Sequence, residues 1–145
     1  MNYRYILDTD HFSLLQRENP ILNQRISLVD PDEIAITVVT VEEQLRGWLS
    51  VIRRYSQSNN PEKLIWAYMG LRDAVNYISQ FQVVELTLEA YNLFVELRQQ
   101  GVRIGTQDLR IAAITLSQQV TLVTRNQRDF SQVPNLMFED WTRPS

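Results

Sequence analysis

Asp8 closes an apolar run that begins at Tyr3, in the segment Ile6-Leu7-Asp8-Thr9-Asp10, and reads as a carboxylate at the C-terminal end of a first β-strand. In an open α/β sheet, that edge is where ligands sit. Further acids, notably Glu43 and Asp108, recur at predicted helix starts. Carboxylates brought together cost stability unless they are protonated or neutralised, and an all-oxygen donor set selects a hard cation such as Mg2+ or Mn2+. Each acid also has a local reading. Asp8 can cap the helix that follows it, Thr40-Val-Glu-Glu43 fits a capping box, and Asp108 is ordinary for a first helical turn. Capping does not explain why several helices on one edge all begin with carboxylates.

The elements that must position these acids follow from periodicity. Tyr3 to Leu7 reads as a buried strand and Asp8 to Arg17 as a helix with Phe12, Leu14 and Leu15 facing inward. Asn19-Pro20 restarts the chain into a short helix over Ile21 to Val29, and Ile34 to Val39, rich in β-branched residues, is a second strand. Thr40 is the expected N-cap of a helix reaching about Tyr55, and the polar loop Ser56 to Pro61 turns it into a second long helix, Glu62 to Gln80. A strand over Val83 to Leu86 comes next, then a helix capped by Thr87 and ended by Gly101, and a helix capped by Thr106. Val120 to Thr124 is a fourth strand and Leu136 to Phe138 a short fifth. Strands alternating with helices demand crossover connections. The expected architecture is an α/β fold: a three-layer α/β/α sandwich with a mainly parallel sheet and an inserted helical hairpin, residues 1–145 forming a single domain.

Composition narrows the partners. A chain of 145 residues with 44% hydrophobic content can bury a substantial core, and it carries no cysteine and one histidine, His11. Thiolate metal sites are excluded, and the usual zinc ligand sets are disfavoured. No run approaches the roughly 20 apolar residues of a spanning helix, so a soluble, cytoplasmic protein with no membrane partner is expected. The net charge of −3 argues against a uniformly basic nucleic-acid-binding surface but leaves room for a local groove. Nearly all the cations are arginine, Lys63 being the sole lysine, and arginine's planar fork suits phosphate or a partner's carboxylates. Arg110, Arg125 and Arg128 lie near the later acids.

Four motifs in order carry a resemblance: Ile6-Leu-Asp8-Thr-Asp10; Thr37-Val-Val-Thr40-Val-Glu-Glu43-Gln-Leu-Arg-Gly47; Ile104-Gly-Thr-Gln-Asp108-Leu-Arg-Ile-Ala-Ala113; and Thr121-Leu-Val-Thr-Arg-Asn126-Gln-Arg-Asp-Phe130. Together with the ending Val133-Pro-Asn-Leu136 and Glu139-Asp-Trp141, the sequence resembles PIN-domain proteins, and among them the VapC toxins of bacterial toxin-antitoxin pairs. The resemblance implies a metal-dependent endoribonuclease whose first three acids fall on Asp8, Glu43 and Asp108. The fourth position, acidic in some members, is Asn126, with Asp129 nearby as a substitute. On this reading the catalytic set is Asp8, Glu43, Asp108 and Asn126. Asp8 and Asp108 hold Mg2+ or Mn2+, and Glu43 orients the attacking water. Adjacent Glu42 competes with Glu43 for that role, while Thr9, Thr106, Thr124 and Asn126 are candidates to position phosphate oxygens.

Three alternatives stand beside this, one of them a response-regulator receiver, which would need a lysine near the fourth or fifth strand that the sequence lacks. Asp8-Thr-Asp10 matches the opening of haloacid-dehalogenase-type phosphatases, but Lys63 lies mid-chain and no Asp-Asp pair follows. A noncatalytic PIN-like protein-binding domain is the third. The hairpin carries Trp48, Leu49, Ile52, Tyr55, Leu64, Trp66, Tyr68 and Met69, more large apolar groups than its core face needs. The remainder suits a partner's helix or a homodimer contact, and the resemblance implies RNA as substrate and a cognate antitoxin as partner.

Overall fold

The computed structural model describes residues 3–144. Its order is β1 (Tyr5–Leu7), α1 (Thr9–Gln16), α2 (Pro20–Ser27), β2 (Ile34–Thr37), α3 (Val38–Ser56), α4 (Pro61–Ile78), β3 (Gln82–Val84), α5 (Leu88–Gln99), α6 (Thr106–Gln118), β4 (Thr121–Val123), α7 (Gln127–Phe130) and β5 (Phe138–Glu139). The five strands pair in the order β3-β2-β1-β4-β5, every pair parallel. The expected sandwich and the inserted hairpin, α3 and α4, are both present.

Strand residues alternate between two cores. Ile6, Ala35 and Leu122, aligned across β2, β1 and β4, join Leu109, Ile111, Ala112 and Ile114 of α6 and Ala90 and Leu97 of α5 on one face. Leu7, Ile36 and Val123 point the other way, to Phe12, Leu22, Ile78 and Trp141. Ile6, Leu7, Ile36, Leu122 and Val123 are fully buried, as a sheet covered on both faces requires. Burying one Ile or Leu is worth about 1.5–3 kcal/mol, so the three-residue strands are held mainly by packing, not by their few ladder bonds.

Boundaries shift in one place that matters. The second strand ends at Thr37, where its register reaches Val84, and Thr37 caps α3 by accepting the Thr40 amide at 3.2 Å. Helix α3 therefore begins before Thr40, and the expected capping box does not form. Gly105, not Thr106, is the N-cap of α6 and supplies no side-chain cap; the Thr106 hydroxyl instead accepts from Arg98 Nη2 at 3.3 Å. A short α7, not foreseen in the sequence, follows Asn126.

Candidate active site

The chain leaves β1 for β2 on one side, then returns through α6 to place β4 on the other, so the sheet's winding reverses between β2 and β4 around β1. A crevice forms outside the carboxyl ends of strands at such a point. Asp8 stands there. It is 3% exposed and caps α1, its Oδ1 accepting the His11 amide at 2.8 Å. A single side chain thus caps a helix and presents a second carboxylate oxygen, so capping and site chemistry coexist.

Glu43 has no capping duty. It lies in the second turn of α3, where its Oε1 accepts from Thr9 Oγ1 at 2.7 Å, and the Thr40 hydroxyl lies 2.9 Å from that same Thr9 oxygen. Since the Thr9 proton goes to Glu43, Thr40 donates to Thr9, giving a short chain of hydroxyls that ties α3 to the residue beside Asp8. Glu42 is exposed and turned aside, its carboxylate taken by Arg46 at 2.5 Å and Gln107 at 2.9 Å. That separates the two adjacent glutamates.

Asp108 sits in the first turn of α6. Burial, then the negative charges of Asp8, Glu43, Asp129 and Asp10 in that order, push its carboxyl up from 3.8 to about 6. Acids distant in sequence therefore share one electrostatic environment. Asn126 caps α7 by accepting the Asp129 amide at 3.3 Å, and its Nδ2 donates to Asp129 Oδ2 at 3.0 Å, leaving one amide proton uncommitted. Thr124 is fully buried and accepts the Asn126 amide at 3.0 Å, a structural role.

Among the described residues, the three donor atoms within 4.8 Å of one another belong to Asp8, Asp10 and His11, not to the expected set. Hydrogen bonding argues against His11 as a ligand. Its Nε2 accepts the Trp141 amide at 3.3 Å, so the ring proton is on Nδ1, 3.4 Å from Asp8 Oδ1. That buried Nδ1 makes no hydrogen bond, and the ring backs Asp8 instead of offering a lone pair. Asp10 is engaged by Arg125, whose Nε donates to Oδ2 at 2.6 Å and Nη2 to Oδ1 at 3.2 Å. Sequence reasoning missed both residues, although Asp10 closes the first motif and His11 follows it directly.

Ribonuclease VapC1 of Haemophilus influenzae (strain R2866) is 30% identical over 141 residues, spanning 96% of this chain and 98% of that protein. The solved VapBC-1 from nontypeable Haemophilus influenzae superposes with a TM-score of 0.74 at 24% identity, over 96% of this chain and 98% of that one. A toxin-antitoxin complex from Klebsiella pneumoniae gives a TM-score of 0.63 at 20% identity, over 92% and 95%. No family model matches the chain. The parallel five-stranded sheet flanked by helices is the PIN-domain fold. The chain belongs to the VapC ribonuclease family.

Proposed function

We propose that this chain is the toxin of a toxin-antitoxin pair and hydrolyses RNA phosphodiester bonds with Mg2+ or Mn2+ held at Asp8 and Asp108. The observation that carries the reading is Asp108, whose pKa is raised to about 6 first by burial and then by four neighbouring carboxylates, whose concentration of charge a divalent cation would relieve. The donor set fits such a cation, being carboxylate oxygen throughout, with His11 turned away as a ligand by its bond from Trp141. When bound, the cation supplies Lewis-acid charge to the phosphoryl oxygens and to the attacking water.

The side chains divide the remaining work. Glu43, steadied by Thr9, accepts a hydrogen bond from the attacking water and aims it at phosphorus. Asn126 offers its free amide proton to a phosphate oxygen, and Asp129, which it holds, takes the place of a fourth acid. The phosphatase alternative is not favoured, since Lys63 lies over the Tyr55 ring in the hairpin, 5.6 Å from its centroid.

A groove of about 370 Å3 between α1 and the hairpin, lined by Trp48, Trp66, Met69, Gly70 and Tyr77, suits the apolar face of an antitoxin helix. Trp48 packs edge-on against Trp66 at 5.3 Å, and a Cβ on Gly70 would come within 2.3 Å of the Trp48 ring, so glycine is what lets the indole lie flat there. A neighbouring hollow shares Gln16, Trp48 and Trp66 and reaches Glu43, so a bound segment would lead toward the acids. Leu49, Ile65 and Tyr68 remain exposed on the hairpin and are the surface offered for a homodimer. No helix among the described residues is long and apolar enough to cross a membrane.

The test is RNA cleavage by wild type, Asp8→Asn and Asp108→Asn in Mn2+ and in EDTA. Both variants and the chelated wild type are expected to be inactive. Wild-type rates from either variant would refute the assignment.

A further inference from the structure

The Asp10–Arg125 pair has no part in the chemistry described above, yet it is built into the rim of the site. Asp10 belongs to the first turn of α1, and Arg125 to the turn between β4 and α7, immediately before Asn126. The contact is bidentate, 2.6 and 3.2 Å, between side chains 51% and 45% exposed and 115 residues apart. An ion pair that exposed adds little to stability. What it does is fix a planar cation in one orientation, with both Nη1 protons and one Nη2 proton making no hydrogen bond to the described residues.

Its placement gives that cation a purpose. A carboxylate oxygen of Asp10 lies within 4.8 Å of one on Asp8, and Arg125 is drawn by Asp140 and Asp8 after Asp10. The guanidinium therefore stands at the edge of an otherwise anionic crevice. A single RNA strand brings one negative charge per nucleotide, and only the phosphate being cleaved would lie against the divalent ion. Its neighbour would meet carboxylates unless a fixed cation received it. Three other arginines are committed differently, Arg46 to Glu42, Arg143 to Asp140 and Arg110 to Gln107, and Arg128 on α7 has no carboxylate partner among the described residues to fix its orientation as Asp10 fixes Arg125.

Resting on the nuclease reading above, we infer that Arg125, oriented by Asp10, hydrogen-bonds the RNA phosphate adjacent to the scissile one. Asp10 is then a positioning residue that cancels its own charge while aiming its partner. The competing role is a brace between α1 and the β4–α7 turn, which would alter stability without touching substrate.

The experiment measures cleavage of a single-stranded RNA oligonucleotide library of mixed sequence in Mn2+ by wild type, Arg125→Ala, Arg125→Lys and Arg125→Ala/Asp10→Asn, together with the dependence of binding on salt in Ca2+. Arg125→Ala should raise KM about tenfold with kcat within about twofold, and Arg125→Lys should recover part of the loss. The logarithmic salt slope should fall by about 0.7, the value for one phosphate contact on a single strand, and should stay reduced in the double variant, where no uncancelled Asp10 charge remains. A neutral methylphosphonate at the linkage beside the cleaved one should weaken wild type but not Arg125→Ala. Unchanged KM and slope in Arg125→Ala, with or without a drop in melting temperature, would overturn the inference while leaving the nuclease reading intact. A wild-type chain that neither cuts nor binds the RNA overturns both.

Discussion

Replacing Asp108 with asparagine should stabilise the metal-free protein at neutral pH while removing its activity. The carboxyl titrates near 6 in the folded chain against 3.8 in its ordinary environment. At about 1.4 kcal/mol per pH unit, that gap corresponds to about 3 kcal/mol of unfavourable charge. Asp108 is only partly buried, and solvent screening roughly halves the figure. A carboxylate in the first turn of α6 also gains about 0.5 kcal/mol from the helix terminus, which asparagine forfeits. The net gain is about 1 kcal/mol, or about 2–4 °C in melting temperature for a chain of this length. The folded chain holds the Asp108 proton more tightly than the unfolded chain does. Wild type therefore loses ground to the variant as pH rises from about 4 to about 6, and the full difference is present above that window. Thermal melts in EDTA at pH 4, 5, 6 and 7.5 would read this directly. A variant no more stable than wild type at pH 7.5, or a difference independent of pH, would refute the claim that Asp108 sits among uncompensated charges.

The other expectations are simpler. Mn2+ at a hundredfold excess over its Kd should stabilise wild type by about 2.7 kcal/mol, reversibly with EDTA, and Asp108→Asn far less, as differential scanning fluorimetry would show. Asp8→Asn keeps a capping oxygen for α1 whereas Asp8→Ala does not, so the alanine variant should be less stable than the asparagine one by about 1 kcal/mol in urea melts, with both inactive. Gly70→Ala forces the far edge of the Trp48 ring to move, against about 1 kcal/mol that alanine gains over glycine inside α4, so the same assay should show a net change within about 1 kcal/mol while capture of an antitoxin helix weakens.

Local chemistry made part of the site legible. Asp8 announced itself because an apolar strand must end at a sheet edge, and Asp108 because a helix start faces the same way. Glu43 was readable as a capping residue for an equally good local reason. Two threonines, Thr37 and Thr40, can each cap α3, and the choice falls to Thr37 because the pairing of β2 with β3 runs out there. Only tertiary register separates the two, and with them the structural and chemical roles of Glu43. The partners of Asp10 and His11 were beyond reach, since Arg125 and Trp141 lie 115 and 130 residues along the chain from them, and no period or motif links such positions. The strand and helix order was recoverable because each element carries its own hydrophobic period.

The acids are dispersed over the β1–α1 junction, α3, α6 and α7, and no single segment contains more than a fragment of the crevice. A truncation that removes β4 and α7 would take Asn126 and Asp129 with it and strip β1 of one of its two parallel neighbours, so Asp8 would lose one wall of its crevice although it stands at the opposite end of the chain.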